Sequence, residues 1–512
     1  MSLFVALTPL ACGSDDDDSI SAAGSAGKSS TAGKSSTGGT AGKSSAGGSA
    51  SGSDTGGAGG ALGNDAGAGG VAGEGGEGGA SAAPKSRLRV VHASPSAPSV
   101  DIYPKGSTTA VAKGVAYGEA TEFIEVDAGT MAFDLRPAGA KTSTAPAFTS
   151  ADIELDTGAD YTVVAAGDFA EADDEDVGFR LLPLEHDFEA AATGRAVARV
   201  VHATPAWGEV DLDVIATDDV DVPALPLFGS ESNVSLPAGA AIPIDFQTED
   251  DGVLTQLTLP KLTAGSELFV IATGNPGFPF RAPANGFALL VVDQDGNVSW
   301  VREQPWIHLV HASDVSTVDV YESTHTTAAA KLSDDLAAQT MGAFQLPASA
   351  AGFTLKAVAD DASSGTATAL ATGATSTIEA GEHYLSYIAG DTIQTIHEQF
   401  DLEQPSKVLL RGVHASTELT ETVDFGPVVS DLLNSALISG VMPAESSAEA
   451  GVAVGPGNII LGAAAHSMTT LLAQKTLSAD DAPVAGERDF VLLVGADGLW
   501  LVNTSVAGWQ LR

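Results

Sequence analysis

The segment RVVHASPSAPSVDIY, which begins at Arg89, returns as RVVHATPAWGEVDLDV, as HLVHASDVSTVDVY and as RGVHASTELTETVDF. At 512 residues the chain exceeds the length over which a single core keeps growing, so the recurring strand, turn and strand marks several modules. His92, His202, His311 and His414 mark the copies, and Asp101, Asp211, Asp319 and Asp424 follow them. A second block recurs downstream as DTGADYTVVAAGD, TAGSELFVIATGN, EAGEHYLSYIAGD and VAGERDFVLLVGAD, each with a small-residue turn ahead of a strongly apolar strand. The period of about 105 residues divides the chain into repeats at 87–193, 194–303, 304–404 and 405–512.

Within a repeat, short β-rich runs alternate with Gly, Pro, Asp and Ser, the punctuation of an antiparallel sandwich or barrel. The expected fold class is all-β: tandem immunoglobulin-like β-sandwich modules after a disordered Gly/Ser/Ala-rich tether. A β-propeller fits less well, since its blades run to about 45 residues and nothing recurs at half the period. SDDLAAQT after Leu332 and VVSDLLNSALIS after Pro427 are the segments expected to form a turn or two of helix. DQDGN, residues 293–297, lacks the glycine and final acid placement of a calcium loop and reads as a hairpin turn. ADGL, residues 496–499, reads the same way.

The N-terminal part has a different composition. Residues 1–12, MSLFVALTPLAC, have a short apolar run that ends at Cys12, the single cysteine of the chain. This resembles the end of a bacterial lipoprotein signal segment, with Cys12 as the lipidated residue, although Pro9 stands where that pattern has leucine and no basic residue precedes the run. Residues 13–86 are almost entirely Gly, Ser, Ala and Thr, which cannot recover their ordering entropy by burial. As a flexible coil this tether would span about 50 Å. Its GKSS units lack the earlier glycine and the flanking strand and helix of a phosphate loop.

The formal net charge of −43 argues against tracking a nucleic-acid backbone or adhering to an anionic bilayer. One cysteine permits no intrachain disulfide and no thiolate metal cluster. No metal or cofactor is expected, and the membrane is reached only through the lipid on Cys12. The partner class is an envelope protein or a surface glycan, and the expected place is the cell envelope as an outer-membrane lipoprotein, with secretion as the alternative.

The VHA[ST] segments followed by V-D, the downstream AG turn and the YTVVAAG-type strand resemble the bacterial secreted or surface module known as domain of unknown function 4397. The resemblance covers residues 87 to 512 and is clearest in the first two repeats; the fourth departs through TELTET and the VMPAESSAEAG insertion. It implies an extracytoplasmic, β-sandwich-like body and brings no established catalytic residues.

Side-chain alternation bears on the repeated histidines and aspartates. His92 is in phase with Leu88 and Val90, His202 with Ala198 and Val200, and His311 with Ile307 and Leu309, so the histidines follow the core-facing side. They are expected at strand ends, with a ring nitrogen hydrogen-bonded to a loop. Asp101, Asp211, Asp319 and Asp424 lie between apolar neighbours and are expected to face outward or to sit at a sheet margin, with Arg89 meeting Asp101. No residue is assigned to catalysis. A surface hydrolase using the repeated His with Ser94, Thr204, Ser313 or Ser416 and the Asp is one alternative. Calcium-dependent adhesion through acidic runs such as ADDED, residues 172–176, and DDVD, residues 218–221, is another. Glu303 and Trp306 near the junction of the second and third repeats, with Trp207 in the turn after His202, stand as contact residues.

Overall fold

In the computed structural model the described residues are 83–512, apart from 216–219, 249–251, 282–284, 314, 316, 324–330, 361–366, 403, 405, 457–459, 479–481, 496–497 and 507. The signal-like segment, Cys12, nearly all of the tether and parts of DDVD and ADGL lie outside them. Residues 80–512 form one compact unit.

The first repeat contains β1 (Lys85–His92), β2 (Val100–Pro104), β3 (Ala112–Val115), β4 (Ile124–Asp127), β5 (Gly129–Met131), β6 (Phe133–Pro137), β7 (Phe148–Thr149), β8 (Ile153–Leu155), β9 (Asp160–Ala166) and β10 (Arg180–Glu185). One sheet runs β10-β9-β1-β4, a second runs β3-β2-β6-β7, and β5 pairs with β8. Leu88 and Val90 of β1 pack against Val100 and Ile102 of β2 and Val163 of β9 in the core between the sheets. The other repeats follow the same plan with separate cores, and every sheet draws its strands from a single repeat among the described residues. In the third repeat the two sheets join into one eight-stranded sheet through Thr372 and Thr392.

The fold is all-β and sandwich-like, but the sheets are not purely antiparallel. The opening strand lies parallel to the strand of the second block, with Val90 beside Val163. The same parallel pair recurs as Val200 with Val270, Leu309 with Ser386 and Gly412 with Val491. Continuous apolar runs such as YTVVAA suit this central position, since such strands are buried on both faces. The two segments expected to begin helices are strands instead. Lys331–Ala337 is one strand, while the other segment enters Val423–Val429, Leu432–Leu433 and Ile438–Val441, and no helix occurs among the described residues. Positive φ at Asp335, Gln339, Ser430 and Asp431 breaks both segments into bulges and tight turns, against the run of right-handed residues that a helix needs.

The second face of each opening strand explains how the repeats assemble. Val91, Ala93, Val164 and Ala166 of the first repeat form one buried cluster with Val201, Ala203, Phe269, Ile271, Leu290 and Val292 of the second. Val310, Leu385, Tyr387 and Ala389 of the third repeat form the matching cluster with Val413, Ala415, Phe490 and Leu492 of the fourth. Equivalent positions meet one another in both clusters. The repeats are therefore paired face to face, first with second and third with fourth. The pairs are joined by polar contacts: Gln345 Oε1 accepts from the Gln256 amide at 2.7 Å, and the Phe280 amide donates to Gly381 O at 2.6 Å. Arg281 of the second repeat also reaches the buried Glu398 of the third.

The residue three places before each histidine lies on this second face. Arg89 donates to Asp293 O of the second repeat at 2.8 Å and to Thr162 Oγ1 at 2.9 Å, so it does not meet Asp101. Arg411 donates likewise to His397 O of the third repeat at 2.8 Å. The face treated as outward in the sequence is an interface, and the guanidinium finds carbonyls across it.

An aspartate at Val413 would bury an unpaired charge in the second interface. Val413→Asp is expected to lose about 3 kcal/mol or more of stability in chemical denaturation. Val429→Asp, at a side chain 56% exposed, should stay within about 0.5 kcal/mol of the parent.

Candidate functional site

All four repeated histidines are buried. Nε2 of His92, His202 and His414 lies 3.2, 2.8 and 3.1 Å from the carbonyl oxygens of Pro98, Gly208 and Glu421. At His92, His202 and His311, Nδ1 accepts a longer bond of 3.4 Å from the amide of Ser94, Thr204 or Ser313. Each ring thus ties the end of the opening strand to the turn that follows. Burial pulls all four imidazoles below their ordinary value, against the smaller upward pull of the loop carbonyls.

The repeated aspartates do a different job from the one expected. Asp101, Asp319 and Asp424 are buried and Asp211 is half-buried. Opposite each of them the neighbouring strand carries a bulge. The carboxylate accepts the amide of the bulge residue: Gly114 at 2.8 Å, Ala224 at 2.6 Å, Asp335 at 3.1 Å and Gly440 at 2.8 Å. All four bulge residues have positive φ, from 51° at Asp335 to 75° at Gly440, which is why glycine fills two of the places. Asp101 and Asp424 also accept the amides of Gly139 and Ser467, at 3.1 and 3.0 Å, and so fix a second turn. The bulge turns each aspartate from a sheet-margin residue into a cap, buried in three repeats and half-buried at Asp211.

These residues do not assemble into a His, Ser and Asp relay. Ser94 Oγ donates to Gly167 O at 2.7 Å, and Ser416 Oγ accepts the amides of Glu418 and Leu419 at 3.2 and 3.1 Å. Only Ser313 Oγ comes near its histidine, 3.3 Å from His311 Nδ1. Asp319, the acid of that repeat, is held by the Asp335 amide and by Lys331 Nζ at 3.0 Å. Asp319, Asp335 and Asp360 bring carboxylate oxygens within 4.8 Å of one another, but the lysine already supplies a positive charge to the buried member. In the ADDED run, Asp174 is exposed and caps the amides of Asp176 and Val177 at 2.8 and 3.0 Å, which makes it a turn residue.

The contact residues near the second junction do come together. Trp207, Glu303 and Trp306 line a cavity of about 440 Å³ with Leu254, Phe278, His308 and His383, and Gly508 of the fourth repeat closes one side. Trp207 packs in the second repeat with its ring tilted against Phe287 at 4.6 Å and stacked on Phe246 at 6.2 Å between ring centres. Glu303, only 1% exposed, accepts through Oε2 from Thr255 Oγ1 at 2.8 Å and from Trp306 Nε1 at 3.0 Å. Its Oε1 lies 3.6 Å from His383 Nε2, and His383 Nδ1 lies 3.2 Å from His308 Nε2. His308 stacks on Trp509 at 3.9 Å between ring centres. Burial, and then the neighbouring His383, holds His308 well below the ordinary imidazole value, so this ring stays neutral near pH 7. A wider groove of about 500 Å³, lined by Thr258, Trp300, Arg302 and Gln304, contains no buried acid or imidazole.

Trp207, Glu303 and Trp306 stand out in the sequence, whereas the histidine pair does not. The signal was present in the repeat comparison. His308 stands where the other repeats have Arg89, Arg199 and Arg411, and His383 stands at the register position of Asp160, Glu267 and Arg488.

Residues 86–213 match the family described as "Domain of unknown function (DUF4397)". The match runs through the first repeat and into the strand that holds Asp211. No curated protein matches the chain. Among solved structures, one similar chain is described as "Product complex of a multi-modular glycogen-degrading pneumococcal virulence factor SpuA". It is 10% identical, with a TM-score of 0.13, and the match covers 55% of this chain and 37% of that one.

The caps can be tested through pH. Burial alone would raise Asp424, but hydrogen bonds from His466, the Ser467 amide, Ser439 and the Gly440 amide bring it from 3.8 down to about 2. A depressed carboxylate contributes stability that is present above its unfolded value and is lost as pH falls through its folded one. Asp424→Asn is therefore expected to lose about 2 kcal/mol at pH 7. In urea titrations, its difference from the parent should shrink between about pH 4 and pH 2.

Proposed function

We propose that this protein is a noncatalytic recognition protein of the cell envelope, held there by a lipid on Cys12 and presenting its paired β repeats to an envelope protein or a surface glycan. The observation that carries this reading is the use made of the residues common to the repeats. Each histidine braces a loop and each aspartate caps a bulge, so the signature maintains shape. A strongly acidic, apolar-cored body behind a Gly/Ser/Ala-rich N-terminal segment suits contact at a distance from a membrane, where charge preserves solubility and steers partners. The lipoprotein-like N-terminus supports the anchor. More than one acyl chain is needed for durable attachment, as a lipoprotein cysteine carries.

Two measurements on the intact chain test this. Cys12→Ser is expected to move the protein from the membrane pellet to the soluble fraction of its own host cells. The soluble variant should then bind isolated surface polysaccharide or envelope protein saturably, with no turnover of ester, peptide or glycoside substrates. Turnover that disappears in Ser313→Ala or His311→Gln would contradict the reading and favour a surface hydrolase.

A further inference from the structure

We propose that the cavity bounded by Trp207, Phe278, Trp306 and the buried Glu303–His383–His308 chain binds a small alkylated ammonium group. This goes beyond recognition by the body as a whole, because it names a site and the chemistry of its ligand. Besides Asn275, Glu303 and the two histidines the walls are aromatic or aliphatic, and neither lysine nor arginine is among the lining residues. Beneath those walls lies an acid where acids are costly: Glu303 is buried with two donors on Oε2 and no hydrogen-bond partner in the protein for Oε1. His383 Nε2 and His308 Nδ1 also lack partners, although both residues are at least nine-tenths buried. With His383 Nε2 set 3.6 Å from Glu303 Oε1, only that imidazole answers the Glu303 carboxylate among the charged groups of the described residues, and a cation in the cavity would offset the burial penalty.

The arrangement favours an organic cation over other ligands. The Trp306 N–H points at the Glu303 carboxylate, so the negative charge sits behind an indole whose face already attracts cations. Trp207 and Phe278 supply further rings. A tautomer in which His308 Nε2–H donates to His383 Nδ1 places the His383 Nε2–H toward Glu303 Oε1 and leaves His308 Nδ1 as an acceptor, again suited to a positive ligand. A bare metal ion fits less well. Metal ions need several oxygen or nitrogen donors to replace water, whereas here Glu303 Oε2 and the two imidazoles already engage Thr255, Trp306 and one another, and most of the remaining lining is carbon. Among the described residues, the acid or imidazole groups close enough to share an ion lie at Asp319, not here. An alkylammonium sheds water readily and matches rings with an acid behind them. The formal charge of −43 would concentrate such cations near the protein.

The test is calorimetric titration of the intact chain with choline chloride. The same titration with 3,3-dimethyl-1-butanol, its uncharged isostere, and with sodium chloride supplies the controls. Saturable choline binding is expected, with the isostere weaker by about tenfold. Glu303→Gln and Trp306→Phe should each weaken choline severalfold while leaving the isostere unchanged, in variants whose thermal melts show them folded. The parent comparison stands even if a variant fails to fold. Equal affinity for choline and the isostere would reduce the site to an apolar cavity and overturn the proposal, as would the absence of saturable choline binding by the folded parent. Neither outcome bears on Cys12 or on binding of envelope polymers, so failure here is distinguishable from failure of the broader reading.

Discussion

The structure depends on burying both faces of one strand. In each repeat the opening strand turns one phase, such as Leu88 and Val90, into the core of its own sandwich. The other phase, Val91 and Ala93, goes into a cluster shared with the next repeat. Removing large aliphatic side chains from water is worth about 1.5–3 kcal/mol each, so an unpaired repeat would expose a substantial apolar face. Pairing equivalent faces resolves this and leaves few polar groups to place at the interface. Of the arginines that lie there, Arg89 and Arg411 donate to carbonyl oxygens of the partner repeat and Arg199 pairs with Asp187 of the first repeat. The conserved geometry of the opening strand is thus a requirement of two packing partners at once.

Much of the fold was legible because repetition makes each repeat a control for the others. The VHA[ST] strand, the apolar second-block strand and the DQDGN hairpin are all strands or turns of the all-β fold, with Asp293 Oδ1 accepting the amides of Asp295 and Asn297 at 3.0 and 2.8 Å. Three features were misread for identifiable reasons. Alternation distinguishes two faces but cannot say that the second is covered by another repeat, so Arg89 was paired with Asp101. It also cannot register a bulge, which sends Asp101 and its counterparts to cap amides at positive φ. SDDLAAQT was assigned a helical turn from its composition, yet Asp335 in that segment adopts φ 51° and receives its cap from Asp319. Parallel pairing of the first and last blocks is a long-range fact that no local pattern encodes.

The candidate site was legible only in part, and the division is instructive. Tryptophans at a junction or in a turn are visible as large apolar residues with a surface to cover, which points to Trp306 and Trp207. A buried relay is visible only where one repeat departs from its siblings, as His308 does in replacing arginine. That replacement removes a guanidinium from the interface and leaves an imidazole that can stack on Trp509 and meet His383. Shared residues maintain the scaffold while the singular ones gather at the junction, so function is more readily sought where the repeat pattern breaks.

Calorimetric unfolding of the intact chain, with the van't Hoff and calorimetric enthalpies compared for each transition, tests most directly whether the repeats exist as welded pairs. The shared clusters predict that each pair melts as one cooperative unit, with a calorimetric enthalpy that matches the van't Hoff enthalpy of a two-repeat body. Four independent transitions, each with the enthalpy of a single repeat, would contradict it.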